Sequence, residues 1–379
     1  MVISLLIYSF FALYAIYPIL YLFVNGGISL GDEYFFQILA LALICVFSFN
    51  LIIKKYYRVA LFKEKFIVDK PSLIQPIIIL LCFSAILFFK ELVHPNMHQR
   101  FFMYSAYGGL LYFFVSTYIR GRNLSFWFIS LLVLVAFWGT TVRILWPVVF
   151  LLVMWSFEYD RRNFLKNNVI GSAWSNYFYK LPLVLLLLVS VFLLTVWFKR
   201  PATFEHEDWI ALVVADASNV ESIEHFASAL ESDYEFYGQG FFAALIVPYM
   251  FDPHTYRGTG KLTLIAAGED LSSNLNRSLS SPLPFELYLN FRGASILVLV
   301  VILLLLYLFL FSRTNSLELT LFKLITTLCF VLFWARGDTV FAFVPSVGLM
   351  LGGYLASLCS RRIYPPNFNG SAEGNSIGA

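Results

Sequence analysis

The 379-residue chain is 60% hydrophobic and 19% aromatic with only 13% charged residues, a balance that excludes an ordinary soluble domain and identifies a polytopic membrane protein. Its net charge of +3 says little about partners. Cys45, Cys82, Cys329 and Cys359 lie in or at the end of apolar runs, with neither a disulfide framework nor CxxC spacing, which argues against redox chemistry.

In chain order, the first apolar run covers residues 2–24; it has no basic stretch before it and is too long for a signal-peptide core, so it reads as a retained span. About 20 residues cross roughly 30 Å of hydrocarbon. That requirement places further spans near 34–53, 73–93, 101–119, 181–198, 285–311, 318–335 and 339–358. The run 124–157 would be roughly 50 Å long as one helix, too long for one crossing and short for two. Both its flanks are basic, Arg120 and Arg122 before and Arg161 and Arg162 after, so both ends belong on the cytoplasmic side and the chain turns near residues 139–143. As two short spans or a re-entrant hairpin, this segment brings the all-α bundle to about ten transmembrane helices.

The basic residues sort with that topology. Lys54, Lys55, Arg58, Lys63, Lys65, Lys70, Lys166, Lys180, Arg313, Arg361 and Arg362 fall on the cytoplasmic side, whereas residues 25–32 carry no Lys or Arg. Both termini are then cytoplasmic. The organisation is an N-terminal bundle of about seven spans (1–198), a large outer loop (199–284), about three further spans (285–360) and a disordered Pro/Gly/Asn/Ser-rich tail (361–379). The outer loop holds twelve acidic residues against five basic ones, a formal charge of −7, which excludes nucleic acid as its partner. Within it, residues 218–232 have the apolar spacing of an amphipathic helix, and residues 240–251, interrupted by Pro248, suit a surface-lying or re-entrant piece.

Several arginines escape the inside rule: Arg143 in the hairpin turn, Arg200, Arg257 and Arg277 in the loop, Arg292 at the head of a span, and Arg336 in the turn ARGD. Headgroups or loop acids suffice for Arg100, Arg200 and Arg277. Arg143 and Arg336 sit in short turns between long apolar segments, where Ser or Asn would be cheaper; a guanidinium there suits a bidentate hold on phosphate or pyrophosphate. On an ideal helix Glu286, Asn290 and Gly293 fall within about 60° of one another, with Arg292 turned away towards Tyr288. That face fits a hydroxyl-rich ligand, with Gly293 admitting a close neighbour. It equally fits a carboxylate favoured by the helix dipole. His254, in FDPHTYRG three residues before Arg257, is a further candidate, beside the loop-borne His206 and His225. No HExxH or similar metal spacing occurs.

The stretch YGQGFFAALIVP followed by GTGKLTLIAAGEDLSSNLNRSLSSPLPFELYLNFRG resembles the large outer loop and following span of bacterial O-antigen polymerases, the Wzy-type repeat-unit polymerases. In that family a Pro-bearing apolar piece and a Ser/Pro stretch precede an E-x-Y-x-N-F-G-x-x-G pattern. Glu286, Tyr288, Asn290 and Phe291 match it, Arg292 stands at its first Gly, and Gly293 comes one place late. The resemblance spans about residues 238–295. It implies metal- and cofactor-independent glycosyl transfer at the periplasmic face of the inner membrane, from an undecaprenyl-pyrophosphate carrier onto an incoming lipid-linked repeat unit, in a lipid setting and with a possible chain-length regulator. Arg143, Arg257, Arg292 and Arg336 would hold pyrophosphate, Asn290 and Tyr288 the glycan, and either Glu286 or His254 would act as base. Three alternatives stand beside it. A polyprenyl-phosphate-sugar transferase would use acids in the first outer loop, where Asp32 and Glu33 lie. An O-antigen ligase is related. A flippase would carry ionisable residues deep in its spans, where only Lys323 qualifies, near a cytoplasmic end and able to snorkel.

Overall fold

The computed structural model describes residues 2–24, 32–62, 97–119, most of 146–161, 282–337 apart from 313 and 315, and 339–363. All regular elements among them are helical: α1 (Val2–Phe11), α2 (Tyr17–Val24), α3 (Asp32–Phe62), α4 (Met97–Ile119), α5 (Leu283–Phe291), α6 (Ser295–Phe311), α7 (Leu317–Arg336) and α8 (Thr339–Ile363). Among the described residues, four stretches are long and apolar enough to cross a membrane, namely Val2–Tyr21, Tyr34–Phe62, Leu283–Phe311 and Leu317–Arg336; Phe101–Ser116 and Ala342–Leu358 are shorter apolar helices. The expected spans 73–93 and 181–198, most of 124–157, the loop 199–281 and the tail from 364 lie outside the described residues.

Helices α1 and α2 form one rod interrupted by a π turn, Ala12–Ile16. Pro18 explains the interruption. It has no N–H to offer the carbonyl of Tyr14 four residues back, and its ring would collide with that carbonyl, so the chain admits an extra residue per turn instead of breaking.

Helix α3 runs past the expected boundary at residue 53 to Phe62, about 46 Å by its 31 residues. Charge ends the apolar run at Lys54, but charge does not end a helix. Ile53, Tyr56, Tyr57, Ala60 and Leu61 remain buried at helical spacing while Lys54, Lys55 and Arg58 face out, so the last turns are amphipathic.

Helix α7 is the centre of the bundle, with 89% of its apolar window buried inside the protein, against 22% for Leu283–Phe311. It packs against α1, α3, α4 and α8. Helix α6 is peripheral: Ile296, Leu297, Val300, Val301, Leu304, Leu305 and Leu308 are all exposed, the surface expected of a helix facing lipid. Ser316 caps α7, its Oγ accepting from Leu319 N–H at 3.2 Å. Lys323 reaches back from α7 to the C-terminal end of α6. It is buried, and its ammonium donates to the Phe309 carbonyl at 3.1 Å and to the Ser312 hydroxyl, and lies 4.9 Å from the Phe309 ring centroid. The lysine therefore closes the C-terminus of α6, where carbonyls lack helical partners and a cation complements the dipole.

Helices α4 and α8 meet with almost no space between their backbones. A Cβ on Gly352 would lie 1.7 Å from the Ser105 carbonyl oxygen, and one on Gly108 would lie 2.0 Å from that of Leu349. Gly348 and Gly352 form a G-x-x-x-G pair on α8, which in lipid allows the van der Waals contact that replaces hydrophobic driving force.

The side-chain contacts define two ends of the bundle. At one, Tyr57 Oη donates to Asp160 Oδ2 at 2.8 Å, Lys55 lies over the Tyr307 and Phe311 rings, and Val2, Ile3, Ser4, Lys54 and Ser156 complete a cavity of about 20 Å³, room for one water. This end gathers Lys54, Lys55, Arg58 and Arg161, the residues that the inside rule places together. At the opposite end, Tyr34 and Gln37 of α3 meet Tyr288 of α5.

Candidate functional site

The Ser/Pro stretch before residue 283 has a local role. Pro282 and Pro284 preset the entry into α5, where missing N–H groups cost nothing, and the Pro282 carbonyl accepts from Phe285 N and Glu286 N at 3.0 and 3.1 Å. The eight residues Leu283–Asn290 are all buried. Glu286 is 3% and Asn290 4% exposed, so the face they share by spacing is covered by protein and does not open at the bundle edge. Asn290 Nδ2 donates to the Glu286 main-chain carbonyl at 2.8 Å, tying the two positions through the backbone, and Asn290 Oδ1 has no hydrogen-bond partner among the described residues.

Helix α5 ends because Arg292 leaves the helical region, with φ 46° and ψ −122°. It is the one non-glycine residue with positive φ among those described. This region suits glycine, and a side chain there costs about 1–3 kcal/mol. A 3-10 turn, Arg292–Ala294, then leads into α6, and the ideal-helix extrapolation to Gly293 fails at the break. A Cβ on Gly293 would meet nothing within 4 Å, so Gly293 serves no close approach among the described residues.

Strain at Arg292 has a measurable consequence. Arg292→Gly relieves it, whereas Arg292→Ala keeps it and loses the side-chain contacts. The glycine variant is expected to be the more stable by about 1 kcal/mol, since roughly 0.5–1 kcal/mol of glycine's unfolded-state entropy offsets part of the relief. Thermal melting in detergent compares the two, and identical curves would mean that the backbone at 292 is unstrained.

The Arg292 side chain lies over Tyr288: its guanidinium carbon is 5.8 Å from that ring's centroid. Tyr288 is itself held from α3. Its hydroxyl donates to Gln37 Oε1 at 2.7 Å, and its ring meets the Tyr34 ring edge-on at 6.2 Å between centroids. Neither Tyr34 nor Gln37 stands out in the sequence reading; the available signal was Gln37, a lone amide in the apolar first half of α3.

Arg336 occupies the last turn of α7, where its charge complements the helix C-terminus, and its guanidinium carbon lies 5.6 Å from the Tyr14 ring centroid in the π turn. Both described candidate arginines thus lie over tyrosine faces, which orient a planar guanidinium. The structure brings Glu286, Tyr288, Asn290 and Arg292 onto one short element against the start of α3. Arg143, Arg257 and His254 lie outside the described residues. No protein-family model, curated protein or solved structure matches this chain.

Proposed function

We propose that the protein polymerises undecaprenyl-pyrophosphate-linked oligosaccharide repeat units into O-antigen or a related surface polysaccharide, at the periplasmic face of a bacterial inner membrane. The acceptor sugar's hydroxyl oxygen attacks the anomeric carbon of the growing glycan; the bond from that carbon to the carrier's pyrophosphate oxygen breaks, and undecaprenyl pyrophosphate leaves with the electron pair. The hydroxyl proton passes to a carboxylate or imidazole, Glu286 or His254. Arginine forks stabilise the departing pyrophosphate.

The observation that carries this reading is Arg292. An arginine kept in a glycine-type conformation, stacked on Tyr288 at the head of a lipid-facing helix, is a strained residue with a charge suited to an anion at headgroup depth. Purified protein given lipid-linked repeat units, with chelator and no added metal, should produce a ladder of glycan lengths on a gel. Single-unit products only would reject polymerisation. Arg292→Gly adds a second arm: ladder formation at the wild-type rate would remove Arg292 as a phosphate ligand.

One observation favours a second reading, a polyprenyl-phosphate-sugar transferase. Helix α3 begins at Asp32 and its first turns pack on Tyr288, so the acids at the end of the first outer loop start the helix that supports the site. Addition of one sugar from a polyprenyl-phosphate donor, with no ladder, would select it.

The orientation is tested separately. Cysteines at Asn219 and Asn274 should react with an impermeant maleimide in cells whose outer membrane is permeabilised, and cysteines at Lys63 and Asn163 should not. Labelling at Lys63 would invert the proposed topology.

A further inference from the structure

We propose that Gln37 of α3 is a positioning residue for Arg292, acting through Tyr288. The inference rests on the reading of Arg292 as an anion ligand and adds what aims it. Arg292 leaves α5 at a backbone conformation that does not fix its side chain, since the helix ends there and the next turn is 3-10. The surface available to its guanidinium is the Tyr288 ring, 5.8 Å from centroid to guanidinium carbon. That ring is fixed from the other side of the site. Its hydroxyl donates to Gln37 Oε1 at 2.7 Å, from a residue 251 positions away in the chain, and the Tyr34 ring abuts it edge-on. Tyr288 is 4% exposed, while Gln37 and Tyr34 lie at the surface, so the brace reaches from the bundle's exterior to a buried ring and through it to the arginine. A tyrosine without this bond keeps its packing and loses the partner that sets how its ring presents to Arg292. Misplacement of a charged group by about 1 Å is enough to cost on the order of 10²-fold in rate.

The distinguishing feature of a positioning role is dependence on the residue positioned. In the ladder assay Gln37→Leu should slow transfer about tenfold, mainly by raising the donor KM, and Tyr288→Phe, which keeps the ring and removes the hydroxyl, should do the same. Gln37→Glu keeps an acceptor oxygen for the hydroxyl and should recover most of the rate. In an Arg292→Ala background Gln37→Leu should cost nothing further. An equal loss in both backgrounds would make Gln37 structural only and overturn the proposal.

A readout without activity separates this inference from the polymerase reading. Phenylglyoxal modification of Arg292, followed by mass spectrometry on folded protein, should rise severalfold in Gln37→Leu and in Tyr288→Phe as the guanidinium leaves its ring. An unchanged rate overturns the positioning role. If wild-type protein forms no ladder while modification rises as expected, the polymerase reading fails and the brace stands.

Discussion

Glu286→Gln is expected to leave the protein folded, with a melting curve close to wild type, while lowering polymer formation about 10²–10⁴-fold, the usual worth of a positioned base and about 3–5 kcal/mol of transition-state stabilisation. The substitution keeps size and shape at a side chain only 3% exposed, so packing on α5 is preserved and the lost property is the capacity to accept a proton. Burial has two consequences. It keeps the carboxylate away from bulk water, which strengthens its electrostatic interactions. It also means that the acceptor hydroxyl must enter the protein to reach it. The variant therefore discriminates three roles. Loss of rate with an unchanged melting curve assigns the base to Glu286. Loss of both makes it a structural carboxylate, held by its own contacts within the bundle. Normal ladders with normal melting return the proton to His254, for which His254→Gln is then the matching test.

How much of this was legible in the sequence differs between helix, boundary and side chain. The described helices were legible because the membrane imposes them: backbone groups in hydrocarbon must bond internally, so a 20-residue apolar run has one regular solution. Boundaries were less so. The apolar run of α3 ends at Ile53, but Tyr56, Tyr57, Ala60 and Leu61 keep a buried stripe and the helix continues to Phe62. Conversely the run from Phe285 to Phe311 reads as one helix, and the structure breaks it at Arg292. A glycine there would have signalled a turn; arginine hides it, because residue type predicts backbone conformation only where no strain is held.

The pairing of Glu286 and Asn290 on one face followed from their spacing of four, and the structure bears out the spacing while burying the face. Gln37 escaped because its partner lies 251 residues away, a tertiary relation that no local pattern carries. Lys323 is legible as a lysine inside an apolar run near one end of its span; its two acceptors at the end of α6 are a tertiary relation that no local pattern carries.

The largest stability effect is expected at the contact between α4 and α8. Gly352→Ala should lower the melting temperature clearly, and Gly352→Val should prevent accumulation of folded protein in the membrane. A real Cβ does not approach a carbonyl oxygen to 1.7 Å, and the obstacle at Gly352 is the Ser105 backbone, which cannot rotate aside as a side chain could. The helices must separate, and the same separation loosens Gly108 against Leu349 and Gly348 against Tyr104, so the loss is shared along the whole seam. Overpacking in a well-packed interior costs about 1–3 kcal/mol, and in lipid no hydrophobic gain compensates for parted helices. Gly353 is a graded comparison: its Cβ would meet the far end of the Phe322 ring, a side chain able to move, so Gly353→Ala should cost less than Gly352→Ala. Gly293→Ala, where a Cβ meets nothing within 4 Å, should be near neutral. Fluorescence-detected gel filtration and thermal melting of the three alanine variants give the order directly. Equal melting of Gly352→Ala and Gly293→Ala would mean that α4 and α8 do not pack backbone to backbone, and that the frame holding α7 at the centre of the bundle is looser than described.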